Sequence, residues 1–231
     1  MRKEPLLAAT LLFLGIQPVA LGQSMNVDLG APGGSAPSSS FAAAGRAGFW
    51  NFLPGGGVIP ARDLAGLATN VLMGANSASG QSAAIGGPSA EDNNLMSDFV
   101  RGAIDLSPSV DILGLKSGEY RVLVYAWGGV PGADPHLNFT DIVVTAGNTT
   151  VSRTLLFNST WPRLQIEGIT FAQLRLFVED GDALSISVTA PVGNENQNIA
   201  IIQGFQLVLV PAPTSAALLI GCAVAAARRR R

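Results

Sequence analysis

His136 is the only histidine and Cys222 the only cysteine in 231 residues, and Cys222 lies in an apolar run near the C-terminus. No Ser-His-Asp, Cys-His or multi-histidine zinc arrangement can be assembled from such a set. His136 closes the turn-like run Gly132-Ala133-Asp134-Pro135-His136 and reads as a surface residue. Carboxylates are more plentiful, and Glu167, Glu179, Asp182 and Glu195 could in principle supply the acid and base of glycoside hydrolysis. Nothing in their spacing selects a pair. Glu179-Asp180-Gly181-Asp182 is explained as a turn, with calcium as the alternative, because a hard cation wants several loop oxygens converging on it. The expectation is a chain with no catalytic residue, no metal site and no cofactor.

Recognition is the other chemistry on offer. Sugars present C–H faces that stack on aromatic plates and hydroxyls that pair with amides and carboxylates, and Trp127, Trp161, Asn194, Asn196 and Gln197 provide both kinds of group. Each has a plainer reading beside it: Trp127 as core, Trp161 packed beside Pro162, the Asn/Gln cluster as a solvated loop. Asn138, Asn148 and Asn158 each begin an Asn-x-Ser/Thr sequon, read here as chance products of a Thr/Asn-rich strand region.

Charge narrows the partners. The net charge is −2, but six of the 14 basic residues (Arg2, Lys3 and Arg228 to Arg231) sit at the ends with only one of the 16 acidic residues, Glu4. The remainder carries 15 acidic against 8 basic side chains. That balance repels phosphate backbones, and no basic stripe interleaved with aromatics is present, so nucleic acid is excluded as a partner. With its one cysteine in the tail, the central part can form no internal disulfide, and its core must carry the stability.

The elements that would position these groups are strands. Hydrophobic content is 48% and charged content 13%, with 27 Gly and 14 Pro, a balance suited to a turn-rich β protein. Glu119 to Gly128 alternates Tyr120, Val122, Val124 and Ala126 against Leu123, Tyr125 and Trp127, the pattern of a central strand covered on both sides. Leu137 to Thr145 and Thr149 to Phe157 flank Ala146-Gly147-Asn148 as a hairpin. Ala172 to Val178 and Ala183 to Thr189 alternate about the Asp-Gly turn at 180–181, which predicts a second tight hairpin with fixed register.

Asn198 to Val210 reads as one long strand or two broken at Gly204, Asn26 to Leu29 as a short first strand, and Asn70 to Met73 as another. Phe41, Phe49, Trp50 and Phe52 read as packing groups. Glu91 to Val100 reads as the one short helix, with Asp92 or Asn93 as its cap. About seven to nine strands, without alternating long helices, predict an all-β fold: a β-sandwich or jelly roll with one short helix. The runs SGEYRVLVYAW and IAIIQGFQLVLV resemble the galactose-binding-like jelly rolls of exported bacterial proteins.

Both ends read as address labels. Arg2 and Lys3 precede an apolar stretch from Leu6 to Ile16, and Ala20 and Gly22 stand at the small positions before a signal-peptidase cut, giving a signal peptide over 1–22. The apolar stretch is shorter than the ~20 residues of a spanning helix, which argues against an uncleaved anchor. At the other end Pro211, Ala212 and Pro213 break the last strand, Thr214 to Ala227 is apolar, and Arg228, Arg229, Arg230 and Arg231 close the chain.

A helix over 214–227 would span ~21 Å against a hydrocarbon core of ~30 Å, so a processed signal is favoured over a permanent anchor. The order of motif, apolar helix and arginines resembles the PEP-CTERM sorting signals of bacteria, with Ala212 in place of the family's central Glu. The resemblance implies recognition by an exosortase-type membrane protease, and retention in the membrane through the tail with the arginines cytoplasmic.

The sequence therefore predicts three regions: 1–22 as signal peptide, 23–210 as the β-sandwich, and 211–231 as the sorting or anchor tail. Flanking signal and apolar helices enclose the sandwich. The expected function is that of an exported, non-catalytic surface or extracellular-matrix protein, with a carbohydrate-binding module as the alternative and a glycoside-active enzyme as a lesser one. Its expected partners are signal peptidase, the sorting protease, the membrane through the tail, and extracellular polysaccharide.

Overall fold

The computed structural model describes residues 23–77, 79–82, 89–101, 107–127, 139–156, 162–189 and 200–211. The expected signal peptide, with Ala20 and Gly22, lies outside the described residues, as do Ala212, Pro213 and Arg228 to Arg231. Pro211 is exposed just beyond the last strand. Among the described residues no helix is long and apolar enough to cross a membrane.

Two sheets face each other. The first has five strands: β1 (Met25–Gly30), β2 (Trp50–Pro54), β8 (Gly118–Tyr125), β11 (Phe171–Val178) and β14 (Gly204–Val210), in the order β11-β8-β14-β1-β2. The second has six: β3 (Val58–Arg62), β4 (Ala68–Asn76), β7 (Ser109–Leu113), β9 (Phe139–Ala146), β10 (Thr149–Leu156) and β12 (Leu184–Thr189), ordered β10-β9-β12-β7-β4-β3. β5 (Ser79–Ser82), β6 (Asp98–Arg101) and β13 (Ile201–Ile202) form a third, small sheet, and among the described residues there is one short helix, α1 (Ala90–Ser97). The all-β expectation holds, with more strands than the periodicity revealed.

Alternation explains the layers. On β9, Ile142, Val144 and Ala146 are buried while Asp141, Val143 and Thr145 lie toward solvent, so one face of the six-stranded sheet is core and the other is wet. The five-stranded sheet differs, because every residue of β1 is buried. Val27, Leu29, Phe205, Leu207, Val122 and Val124 fill the space between the sheets. Its outer face is roofed by segment 31–49, whose Phe41, Ala43 and Ala44 pack against the core, and by the small sheet, since β6 contacts β1.

Two local expectations change. Turn 179–182 does not close a hairpin: β11 pairs with β8, β12 pairs with β7 and β9, and the chain crosses from one sheet to the other. Each strand has its own apolar face to bury, and placing one in each layer buries both against each other. The turn acids cap this crossing, Asp180 accepting from the Ser117 amide at 2.9 Å and Asp182 from Glu179 at 3.3 Å. The helix is capped by Ser89, whose Oγ accepts from Asp92 N at 3.0 Å, and it ends before Phe99 and Val100, which belong to β6. The 146–149 hairpin forms as expected, with Gly147 at φ 53°.

A candidate functional site at one end of the sandwich

The sheet registers give the sandwich two unlike ends. At one, Leu113 to Gly118, Ala146 to Thr149 and Val178 to Leu184 turn within a few residues. At the other lie the last residues of β8 and β12 and the first of β9. Phe139 pairs with Leu156 and Thr189 with Asp141, while across the gap Tyr125 pairs with both Phe171 and Gly204.

Segments 128–138, 157–161 and 190–199 all leave from this second end. Trp161, Asn194, Asn196 and Gln197 fall on them and lie outside the described residues, as do His136 and Glu195. Trp127 is described. Its indole joins the core and is 6% exposed. Its amide donates to Gln203 Oε1 at 2.8 Å, and the Gln203 amide returns a bond to its carbonyl. That exchange ties the strand leading into 128–138 to the strand that follows 190–199.

A row of residues crosses the outer face of the five-stranded sheet at this end: Phe52, Asp28, Gly204, Tyr125 and Phe171. Side chains two apart on a strand share a face, so Asn26, Asp28 and Gly30 point the same way. The row below is a satisfied network. Gln206 donates to Asn26 Oδ1 at 2.7 Å and to the Arg46 carbonyl at 3.0 Å, and accepts from the Tyr125 hydroxyl at 2.6 Å. Tyr125 in turn accepts from the Ala44 amide at 2.9 Å, fixing the roof to the sheet. Burial pushes its phenol well up, against the pull of the Ala44 amide and the Arg121 charge and with a further upward push from the Asp92 charge.

Asp28 is the exception. It is fully buried, and neither carboxylate oxygen has a hydrogen-bond partner. Burial first, then the neighbouring Asp98 charge, raises its pKa well above the usual carboxylate range. The Leu29 amide pulls the other way, but it donates its hydrogen bond to the Gln203 carbonyl at 2.8 Å. Asp98, 8% exposed at the start of β6, is raised by burial as well.

Glycines make room for Asp98 and for the close approach of β5 to β1. A Cβ on Gly30 would stand 2.5 Å from Asp98 Cβ, one on Gly34 would stand 2.2 Å from Asp98 Oδ2, and one on Gly80 would stand 1.9 Å from the Gly30 carbonyl. Sequence reading passed over Asp28 and Asp98. The available signal was an acid inside a short strand of otherwise apolar alternation, Met-Asn-Val-Asp-Leu.

The acids that were singled out lie elsewhere. Glu179, Asp180 and Asp182 belong to the turn end, and among the described residues no group of three or more potential metal ligands of the His, Cys, Asp or Glu type converges. Glu167 lies in the turn before β11, and Asn148 is a hairpin residue at the turn end.

No protein-family profile matches the chain, and no curated protein does. Solved structures do share parts of its shape. A family 35 carbohydrate-binding module from Clostridium thermocellum is 12% identical, covering 60% of this chain and 92% of the module, at a TM-score of 0.39. The module TmCBM61, in complex with β-1,4-galactotriose, is 15% identical, covering 62% and 90%, at 0.31. The plant receptor-like kinase ANX2 is 11% identical, covering 82% of this chain and 48% of its own, at 0.43.

Proposed function

We propose that this is an exported, non-catalytic carbohydrate-binding protein that presents the long-segment end of its sandwich to extracellular polysaccharide. The observation that carries the reading is topological. Trp127 and the segments bearing Trp161, Asn194, Asn196 and Gln197 are far apart in sequence, yet their attachment points meet at one end of the two sheets. One aromatic and several amides anchored around a common rim are the components that sugar recognition requires.

The opposite end supports the same reading. Met25 pairs with Leu207 and Val210 with Glu119, so the residues leading to both the signal segment and the tail leave from the turn end. A tail held at a membrane would leave the rim facing outward. Export, sorting at Pro211 to Pro213 and a place in the extracellular matrix belong to this proposal.

A glycan array probed with the full chain tests it. Binding to at least one polysaccharide class is expected, with loss on Trp161→Ala while the circular dichroism spectrum is unchanged. Absence of binding to every glycan, or binding indifferent to Trp161 and to Asn194→Ala/Asn196→Ala together, would overturn it.

A further inference from the structure

We propose that Gln23 is a modification site gated by folding: at a free N-terminus of the unfolded chain it closes to pyroglutamate, and in the folded chain the turn end of the sandwich holds it open. The inference rests on the export reading for one point, a cut after Gly22 that makes Gln23 the first residue of the mature chain. It is independent of glycan binding.

The chemistry is that of any N-terminal glutamine. The α-amine attacks the side chain's own Cδ, an N–Cδ bond forms, the Cδ–Nε2 bond breaks, and ammonia leaves with a proton from the amine. No oxidant or co-reactant is needed. An α-amine titrates near pH ~8, so a share of it is the unprotonated nucleophile at neutral pH. The reaction then requires only a carboxamide free to curl back on its own amine.

In the fold the carboxamide is not free. Gln23 is 5% exposed, although it stands ahead of β1. Its Oε1 accepts from the Tyr120 hydroxyl at 2.8 Å and from the Lys116 amide, and its Nε2 donates to the Gly114 carbonyl at 3.4 Å. These partners lie in the turn between β7 and β8 and at the start of β8, where Gly114 has a φ of 80°. The next residue is fastened as well. Ser24 Oγ accepts from the Leu209 amide at 3.1 Å, and the Ser24 carbonyl accepts from the Leu64 amide at 3.1 Å.

The group that would react is therefore engaged at both of its polar atoms. Ring closure removes Nε2, the donor to Gly114, and draws Cδ onto the residue's own nitrogen, away from the Tyr120 hydroxyl and the Lys116 amide. Breaking buried hydrogen bonds without replacing them is costly, so in the folded chain the reaction has to wait for a local opening of this end. A chain that closes while unfolded loses the latch permanently, since the ammonia is gone.

The test uses the full chain secreted from an export-competent bacterium, with its N-terminal peptide read by mass spectrometry. The native protein should begin at Gln23 with its ammonia retained. At one pH and temperature, ammonia loss from that peptide should be at least about tenfold slower in buffer than in denaturing urea. Tyr120→Phe removes one donor to Oε1 and should speed the loss in buffer roughly 2- to 10-fold, the worth of one hydrogen bond, with the rate in urea unchanged. A native chain that already lacks the ammonia, equal rates in buffer and urea, or a Tyr120→Phe rate in buffer equal to that of the wild type would each overturn the proposal and leave the export reading standing. A chain that keeps residues 1–22 or starts elsewhere would overturn the proposal together with that reading.

Discussion

Tyr120 and Asp28 are both fully buried polar side chains on the five-stranded sheet, one near each end of the sandwich, and their surroundings differ in kind. At the turn end, Tyr120 donates to Gln23 Oε1 at 2.8 Å and lies 3.0 Å from the Lys116 carbonyl, while Gln23 also accepts from the Lys116 amide. Short connections hold these partners in place, and left-handed glycines at 66, 114, 147 and 181 close the turns. At the other end Asp28 has no such partner. An end built from tight turns satisfies its buried polar groups from local chain, whereas the end built from long segments leaves a buried carboxylate without a hydrogen-bond partner.

The sharpest way to break this contrast is Gln203→Leu. It would strip the Trp127 amide and carbonyl of their side-chain partner in a buried setting, and an unsatisfied buried group costs about 1 to 3 kcal/mol. A loss of about 2 to 5 kcal/mol in urea unfolding is expected for the two groups. Exchange should quicken around 127 and 200–203 before it does at the turn end.

The turn end can be tested by titration. Burial pushes the Tyr120 phenol from 10.0 up to about 12, partly offset by its Lys116 contact. A group whose folded pKa is raised contributes stability that is complete below the unfolded value and lost as pH climbs to the folded one. The advantage of the wild type over Tyr120→Phe should therefore be constant below pH 10 and shrink between pH 10 and 12, read by denaturant melts at each pH. A constant difference across that window would remove Tyr120 as a buried anchor.

The smallest effect is expected at Arg175, which sits 3.6 Å from Glu119 with both side chains about half exposed. Arg175→Ala should change stability by less than about 1 kcal/mol, since solvent screens such pairs. A larger loss would mean that the turn end depends on surface charge as well as on its buried bonds.

What the sequence determined by itself was whatever is decided within about ten residues of chain. Alternation placed β8, β9, β11 and β12, the Gly147-Asn148 pair placed one hairpin, and the helical reading of Glu91 to Val100 placed α1 but not its end. Burial depends on what stands opposite, so β2, β3, β5 and β7 were invisible: short, with Gly, Pro or Ser, they acquire strand character from their neighbours. The Asp-Gly turn at 180–181 had the chemistry of a hairpin, yet only the packing of two sheets could decide that its strands part. Of the proposed rim, the sequence supplied the residue types, and the strand registers brought together the points from which their segments leave. The meeting of Asp28 with Asp98 belonged to tertiary structure alone, because the energy of a buried charge depends on what lies beside it in space, and seventy residues of chain separate the two.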